Sequence, residues 1–358
     1  MARTMKTYNI AVIPGDGIGQ EIVPAGLKVL HAVASHHAFE LTTEVFAWGA
    51  GHYKKHGVFM PSDGLSILKP FDAIYFGAVG LPDVDDTLPA KCHTFAIRKG
   101  FEQYVNYRPA RLFAGIEGPL RNKTPEDIDF VIIRENTEGE FVQAGSFIRA
   151  ESPDGMAIDM SVFTRKGIER IAHYAFRLAR QRQKKLTNVT KSNTLIHSLV
   201  YWDQVIEEVG QSYSDVAYEK MYVDNASASF VLRPEQFDVV LTSNFIGDIL
   251  SDLAGAIMGS LGLGASGNIN PEKRYPSMFE PIHGSAPDIA GKGIANPIGA
   301  IWSGAIMLEH LGEMRAAQQI LDSIELTIQE KVLPKDLGGS ASTMDVAEAI
   351  MDNLEKSV

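Results

Sequence analysis

Apolar and polar positions along the chain fall into two alternating patterns. Short β-rich runs at residues 9–13, 73–76, 130–133, 186–190 and 239–242 are each followed downstream by stretches with helical periodicity, clearest at 20–35 and 94–105. Strand and helix in turn predict a mainly parallel sheet covered by helices, an α/β fold. Residues 141–158 break the rhythm. They mix Gly and Ser with alternating apolar positions, which fits either a projecting β-arm or an ordinary surface loop. The longest uncharged stretch, 254–271, is crowded with Gly, Ser and Asn, so it reads as a helix followed by loop rather than a membrane span.

Length and charge narrow this picture. A chain of 358 residues exceeds what one hydrophobic core comfortably serves, which calls for a large α/β unit or two lobes. With 44 acidic against 33 basic residues the formal charge is -11, and no basic block is visible, so nucleic acid is excluded as an expected partner. Cys92 is the only cysteine, which rules out an internal disulfide and suits a reducing compartment. The first residues carry no apolar signal segment before residue 8, so a cytoplasmic location is expected. No repeat, low-complexity tract or Pro-rich linker marks a domain boundary.

Several segments carry candidate chemistry. IPGDGIG at 13–19 joins a strand to a helix, but its glycines do not fit GxGxxG and no acidic residue ends a second strand about 20 residues on, so a Rossmann assignment fails. A tight turn into a helix is its simpler reading. Asp248 and Asp252 stand four apart on one helix face, where like charges repel unless a cation or arginine lies between them. They suit Mg²⁺ or Mn²⁺, or serve as favourable acids near a helix N-terminus. Arg98, Arg108 and Arg134 lie at or near the ends of elements, where planar guanidinium groups pair with the carboxylates of a di- or tricarboxylate, or form surface ion pairs. Lys191 follows a strand and is a candidate base or an exposed lysine. Asp224 closes an apolar run and offers a third metal carboxylate or a turn residue. In the Gly/Pro-rich segment 279–297, small residues around His283 (Gly284, Ser285 and Ala286) let backbone approach a flat base, and Asp288 can accept from a ribose diol and repel a 2′-phosphate. Composition alone makes that segment a loop.

In this order, IPGDGIG at 13–19, YFGAVG at 75–80, NYRPARLF at 106–113, RENTEGE at 134–140, TKSN at 190–193, NFIGDILSD at 244–252 and EPIHGSAPDIAGKGIANP at 280–297 resemble the β-decarboxylating dehydrogenases. That family includes isopropylmalate, isocitrate, homoisocitrate and tartrate/D-malate dehydrogenases. The resemblance implies an isocitrate/isopropylmalate dehydrogenase-like two-lobed α/β/α fold, not Rossmann, with one lobe at 1–103 plus 257–358 and the other at 104–256. It also implies a homodimer clasped by the 141–158 arm, with shared active sites. Arg98, Arg108, Arg134, Asp248 and Asp252 would come from one subunit, with Lys191 and Asp224 from its partner. NAD would be held by His283, Gly284, Ser285, Ala286, Asp288, Ile289 and Asn296.

The implied reaction is metal-assisted oxidation of a 2-hydroxy acid, with Lys191 taking the hydroxyl proton, then loss of CO₂ where a β-carboxylate is present. The chain departs from the family at Phe141, where a tyrosine usually assists the final protonation; Tyr222 is a possible substitute. On the face of Arg98 stand Phe95, Thr94 and Lys91. Thr94 and Lys91 make a more polar pocket than the leucines of isopropylmalate enzymes, and Cys92 and Thr94 replace the Ser and Asn of isocitrate enzymes. YFGAVG, QYVN, RENTEGE, FTRKG and IANP stand nearest the tartrate/D-malate members. A four-carbon hydroxy diacid is therefore expected, with isopropylmalate, isocitrate or homoisocitrate as alternatives and a noncatalytic metabolite-binding paralogue as the competing class.

Overall fold

The computed structural model describes residues 5–85, 87–89 and 93–356. Among the described residues twelve strands follow in chain order: β1 Lys6–Gly15, β2 Phe39–Val45, β3 Ala73–Ala78, β4 Val105–Arg111, β5 Asp129–Glu135, β6 Gly139–Ile148, β7 Met156–Val162, β8 Lys185–Thr190, β9 Ala217–Tyr222, β10 Val239–Thr242, β11 Ala265–Ile269 and β12 Ser277–Pro281. The chain divides into two compact units. One takes in the described parts of Met1–Gln103, Arg111–Pro125 and Gly255–Val358; the other takes in Tyr104–Ala110 and Glu126–Ala254.

In the first unit the strand order is β2-β1-β3-β12-β11. β1 runs parallel to β2 and β3, β12 parallel to β3, and β11 antiparallel to β12. That order differs from the 3-2-1-4-5-6 arrangement of a Rossmann sheet. Helix Gly19–His36 buries Ile22, Val23, Val29, Leu30 and Val33, the apolar stripe read from the sequence. Helix Ile298–Leu311 is buried continuously from Ile298 to Leu308, as suits a helix apolar all round. The Tyr75 hydroxyl on β3 donates to its Ala300 carbonyl at 2.8 Å.

Residues 111–125 lie within the stretch expected for the middle lobe but group with the first unit. The Arg111 backbone N–H meets Met258 Sδ at 3.0 Å, its guanidinium meets Glu325 at 2.7 Å, and the Phe113 ring packs edge-on against Trp302. The helix expected over 94–105 is shorter, Phe95–Gly100. Phe101 N–H closes it on the Ile97 carbonyl and Glu102 N–H on the Lys99 carbonyl, and Glu102 turns the chain with φ of 47°. The stretch 254–271 also differs: it contains strand β11 rather than only helix and loop. Its Ser266 and Asn268 are buried but bonded, Ser266 Oγ to the Glu280 carbonyl at 2.8 Å and Asn268 Nδ2 to Glu280 Oε1 at 2.7 Å, so no apolar run announces the strand.

The second unit orders its strands β4-β5-β10-β8-β9, with β5, β10, β8 and β9 parallel. Helix Arg165–Gln181 buries Ile168, Ile171, Ala175 and Phe176. Segment 141–158 proves to be an arm: β6 and β7 pair antiparallel, from Ile148 opposite Met156 to Ala144 opposite Met160.

Candidate active site

Asp16 shows what the first glycine-rich motif does. Its carboxylate accepts the N–H groups of Ala50 and Gly51, at 2.7 and 2.8 Å, and of Gly80 at 3.1 Å. The N–H of Ile18 donates to the Ser285 carbonyl at 2.9 Å. IPGDGIG is thus a turn that ties neighbouring loops together, including the loop that carries His283.

In the second unit, Arg108 on β4 and Arg134 on β5 converge on one face of helix Asn244–Ile257. Arg134 Nε donates to Asn244 Oδ1 at 2.8 Å and Nη1 donates to Asp248 Oδ1. Arg108 Nη1 donates to Ser251 Oγ at 2.5 Å and lies 3.9 Å from both Asp248 Oδ1 and Asp252 Oδ1. The arginine side chains are 9% and 2% exposed, whereas Asp248 and Asp252 are 45% and 64% exposed. Buried cations therefore stand behind outward-facing carboxylates. Partial burial, with the Asp248 charge adding to it, raises the Asp252 carboxyl against the lowering effect of Arg108. Gly247 permits the approach: a Cβ there would lie 2.7 Å from the Arg134 side chain.

RENTEGE builds the rest of this patch. Glu135 is buried, and its carboxylate accepts the Thr137 N–H and hydroxyl and the Glu138 N–H. Glu140 accepts the Ser243 hydroxyl at 3.1 Å and the Phe245 N–H at 3.2 Å, bracing the start of helix Asn244–Ile257. Phe141 lies 5.4 Å from the Arg134 guanidinium carbon and edge-on to Phe245.

Lys191 and Asp224 form a separate pair. The parallel register of β8 and β9 sets Thr190 opposite Tyr222, and just beyond it Lys191 Nζ meets Asp224 Oδ2 at 2.5 Å. That bond lowers the Asp224 carboxyl. Lys191 opens onto a cavity of about 350 Å³ with Glu140, Leu195, Phe245 and Ile249. Asp224 does not join Asp248 and Asp252 within the chain: among the described residues no three His, Cys, Asp or Glu groups come together as a metal set. Tyr222 ends β9 with its ring exposed.

In the first unit Arg98 belongs to helix Phe95–Gly100, and its Nη2 donates to the buried Glu280 at 2.7 Å. The Phe95 ring lies 5.6 Å from its guanidinium carbon, and Thr94 is buried. Lys91 and Cys92 lie outside the described residues.

The loop after β12 lines a cavity of about 590 Å³ with His283, Gly284, Ala286, Ile289 and Asn296. His283 Nδ1 pairs with the Gly284 carbonyl, while Nε2 is buried without a hydrogen-bond partner. Burial lowers the imidazole, so it is neutral at pH 7. Asn296 Oδ1 accepts the Ile298 N–H at 2.9 Å and its Nδ2 donates to Asp336 at 3.0 Å. Asp288 is exposed on the loop, its carbonyl accepting from Lys292. Sequence reasoning did not single out Asp336, Lys335 or Leu261 in this lining, nor Glu280 as the partner of Arg98. Lys335 and Asp336 lie in a turn segment with no motif around it, and Glu280 was visible only as the first letter of EPIHGSAP.

Comparison with known proteins agrees with this architecture. The model of the isocitrate/isopropylmalate dehydrogenase family matches residues 9–350. A probable tartrate dehydrogenase/decarboxylase of Agrobacterium vitis is 49% identical, covering 99% of both chains. The decarboxylating D-malate dehydrogenase of Escherichia coli K12 is 48% identical over 97% of this chain and 98% of its own. The crystal structure of isocitrate dehydrogenase from Methylococcus capsulatus superposes with a TM-score of 0.88 at 35% identity, covering 97% and 99% of the two chains. The chain belongs to the isocitrate/isopropylmalate dehydrogenase family. It is a dehydrogenase by membership, and no described helix is long and apolar enough to cross a membrane.

Proposed function

We propose that the protein is an NAD-dependent, Mg²⁺- or Mn²⁺-dependent dehydrogenase of a four-carbon 2-hydroxy diacid of the D-malate or tartrate type. The observation that carries this reading is the patch in which Arg108 and Arg134, both buried, stand behind the outward carboxylates of Asp248 and Asp252. Guanidinium groups suit the substrate's carboxylates, and two hard oxygen donors suit a divalent ion. Identities of 49% and 48% to proteins named for tartrate and D-malate support the choice of acid.

Asp248 and Asp252 would hold the ion, which would supply polarisation of the substrate's hydroxyl and neighbouring carboxylate, and the coenzyme would supply the hydride acceptor. Lys191 Nζ, placed by its contact with Asp224, takes the hydroxyl proton. Arg108 and Arg134 orient the diacid through their guanidinium groups. The third metal carboxylate, Asp224, and the base Lys191 serve the Asp248–Asp252 patch of a second copy. Six exposed apolar residues on the β-arm, Phe147, Ile148, Met156, Ile158, Met160 and Val162, supply a surface for that copy. The unpaired His283 Nε2 and the Asn296–Asp336 pair suit the heterocycle and ribose of the coenzyme. The single cysteine suits a cytoplasmic setting.

The test is a substrate panel. With NAD and Mn²⁺, D-malate or a tartrate should give kcat/KM at least tenfold above isopropylmalate and isocitrate, with CO₂ measured alongside NADH to separate oxidation from decarboxylation. Preference for isopropylmalate or isocitrate would overturn the substrate class. Binding of one acid without turnover of any would favour a metabolite-binding paralogue.

A further inference from the structure

Glu21, in the first turn of helix Gly19–His36, spends both carboxylate oxygens on the backbone of another segment. Oε1 accepts the N–H of Gly291, and Oε2 accepts that of Gly293 at 2.8 Å. Both glycines are left-handed, with φ of 77° and 65°, and a Cβ on either would meet nothing within 4 Å. Backbone conformation rather than space calls for glycine there. N–H groups turned to one side of such a turn form a concave anion site. Here the chain supplies the anion itself.

The clamp sits in the middle of the loop that lines the 590 Å³ cavity. Ala286 and Ile289 precede it in the lining, and Ile294 and Asn296 follow. Neighbouring segments tie the two ends: the Ile18 N–H holds the Ser285 carbonyl at 2.9 Å, and Thr343 holds the Gly293 carbonyl through its N–H at 2.9 Å and the Ala295 carbonyl through its hydroxyl at 2.7 Å. Lys292 Nζ closes the turn on the Asp288 carbonyl at 2.7 Å. Glu21 fastens the stretch between those ends.

We infer that Glu21 is a positioning residue for the coenzyme, an internal anion that holds residues 286–296 in the shape that lines the cavity. The inference rests on the coenzyme reading above. Glu21 acts through the loop, so coenzyme binding depends on it and the hydride step does not.

Two measurements on the whole enzyme test this. Glu21→Gln keeps the size but offers one acceptor oxygen and turns an NH₂ toward an N–H donor. In hydrogen exchange without coenzyme, the Gly291 and Gly293 amides should exchange faster than in the wild type. In steady-state kinetics with D-malate and Mn²⁺, the KM for NAD should rise about tenfold, the scale of one hydrogen bond to a charged group, with kcat within about twofold. Glu21→Asp, with charge kept and reach shortened, should show the same split at smaller amplitude. Unchanged exchange in Glu21→Gln overturns the clamp. Faster exchange with an unchanged KM, or equal falls in kcat and kcat/KM, overturns its role in coenzyme binding. A wild type that reduces no NAD overturns the coenzyme reading instead, while exchange without coenzyme still reads the clamp separately.

Discussion

The ring of Phe141 lies 5.4 Å from the guanidinium carbon of Arg134, beside the patch formed with Asp248. A phenyl ring attracts the cation but has no proton to give. If, as proposed, loss of CO₂ follows oxidation, the enolate must be protonated, and a hydroxyl on this ring would stand where a donor is needed. Phe141→Tyr is expected to raise the rate of oxidative decarboxylation by on the order of 10- to 100-fold, followed as CO₂ release per NADH. An unchanged or lower rate on the true substrate would show that the missing hydroxyl is not limiting.

The β-arm makes a second expectation. Phe147 is 77% exposed, and Met160 on the facing strand is 52% exposed. Charged residues at both positions, Phe147→Asp with Met160→Asp, should yield a monomer by sedimentation. Activity should fall by about 10²-fold or more, because in the proposed shared-site arrangement each site would lose the Lys191 and Asp224 of the other copy. A stable monomer with full activity would sink the shared-site arrangement.

Two buried histidines should contribute to the loss of stability in acid. Burial lowers His93 to about 4, with Asp16 and Glu280 opposing, and burial lowers His310 to about 4, with Lys273 adding to it. Between about 6.5 and 4 the unfolded chain binds protons that the folded chain does not, so stability is full above pH 6.5 and falls as pH drops through that window. The urea midpoint should decline from pH 7 to pH 5, and His310→Gln should flatten the decline. A midpoint that rises on acidification would reverse the sign.

Much of the parallel sheet was legible because β1, β3, β5, β8 and β10 carry apolar or β-branched runs with helices downstream. β11 was not, because its Ser266 and Asn268 satisfy themselves on Glu280 inside the first unit. Residues 111–125 followed Met258, Glu325 and Trp302, contacts that sequence order does not reveal. At the site, the i,i+4 spacing of Asp248 and Asp252 was readable, but their meeting with Arg108 and Arg134 depends on the order of β4, β5 and β10. Asp336 stayed hidden because only the tertiary fold brings its turn to Asn296.

In the proposed coenzyme reading, Asp288, exposed on the loop after β12, is the residue that would set the choice between NAD and NADP. Its charge should repel a 2′-phosphate, so wild-type kcat/KM should favour NAD over NADP, and Asp288→Ser should narrow the ratio by about tenfold. NADP matching or exceeding NAD in the wild type would refute the repulsion.

The most direct test of metal-dependent, NAD-linked oxidation is the initial rate of NADH formation with D-malate and with tartrates, measured with Mn²⁺, after chelator, and after excess Mn²⁺ is restored. Turnover that needs the ion, stops with chelator and returns with Mn²⁺ is the expected result. Reduction that continues undiminished in chelator, or none with any of these acids, would contradict it.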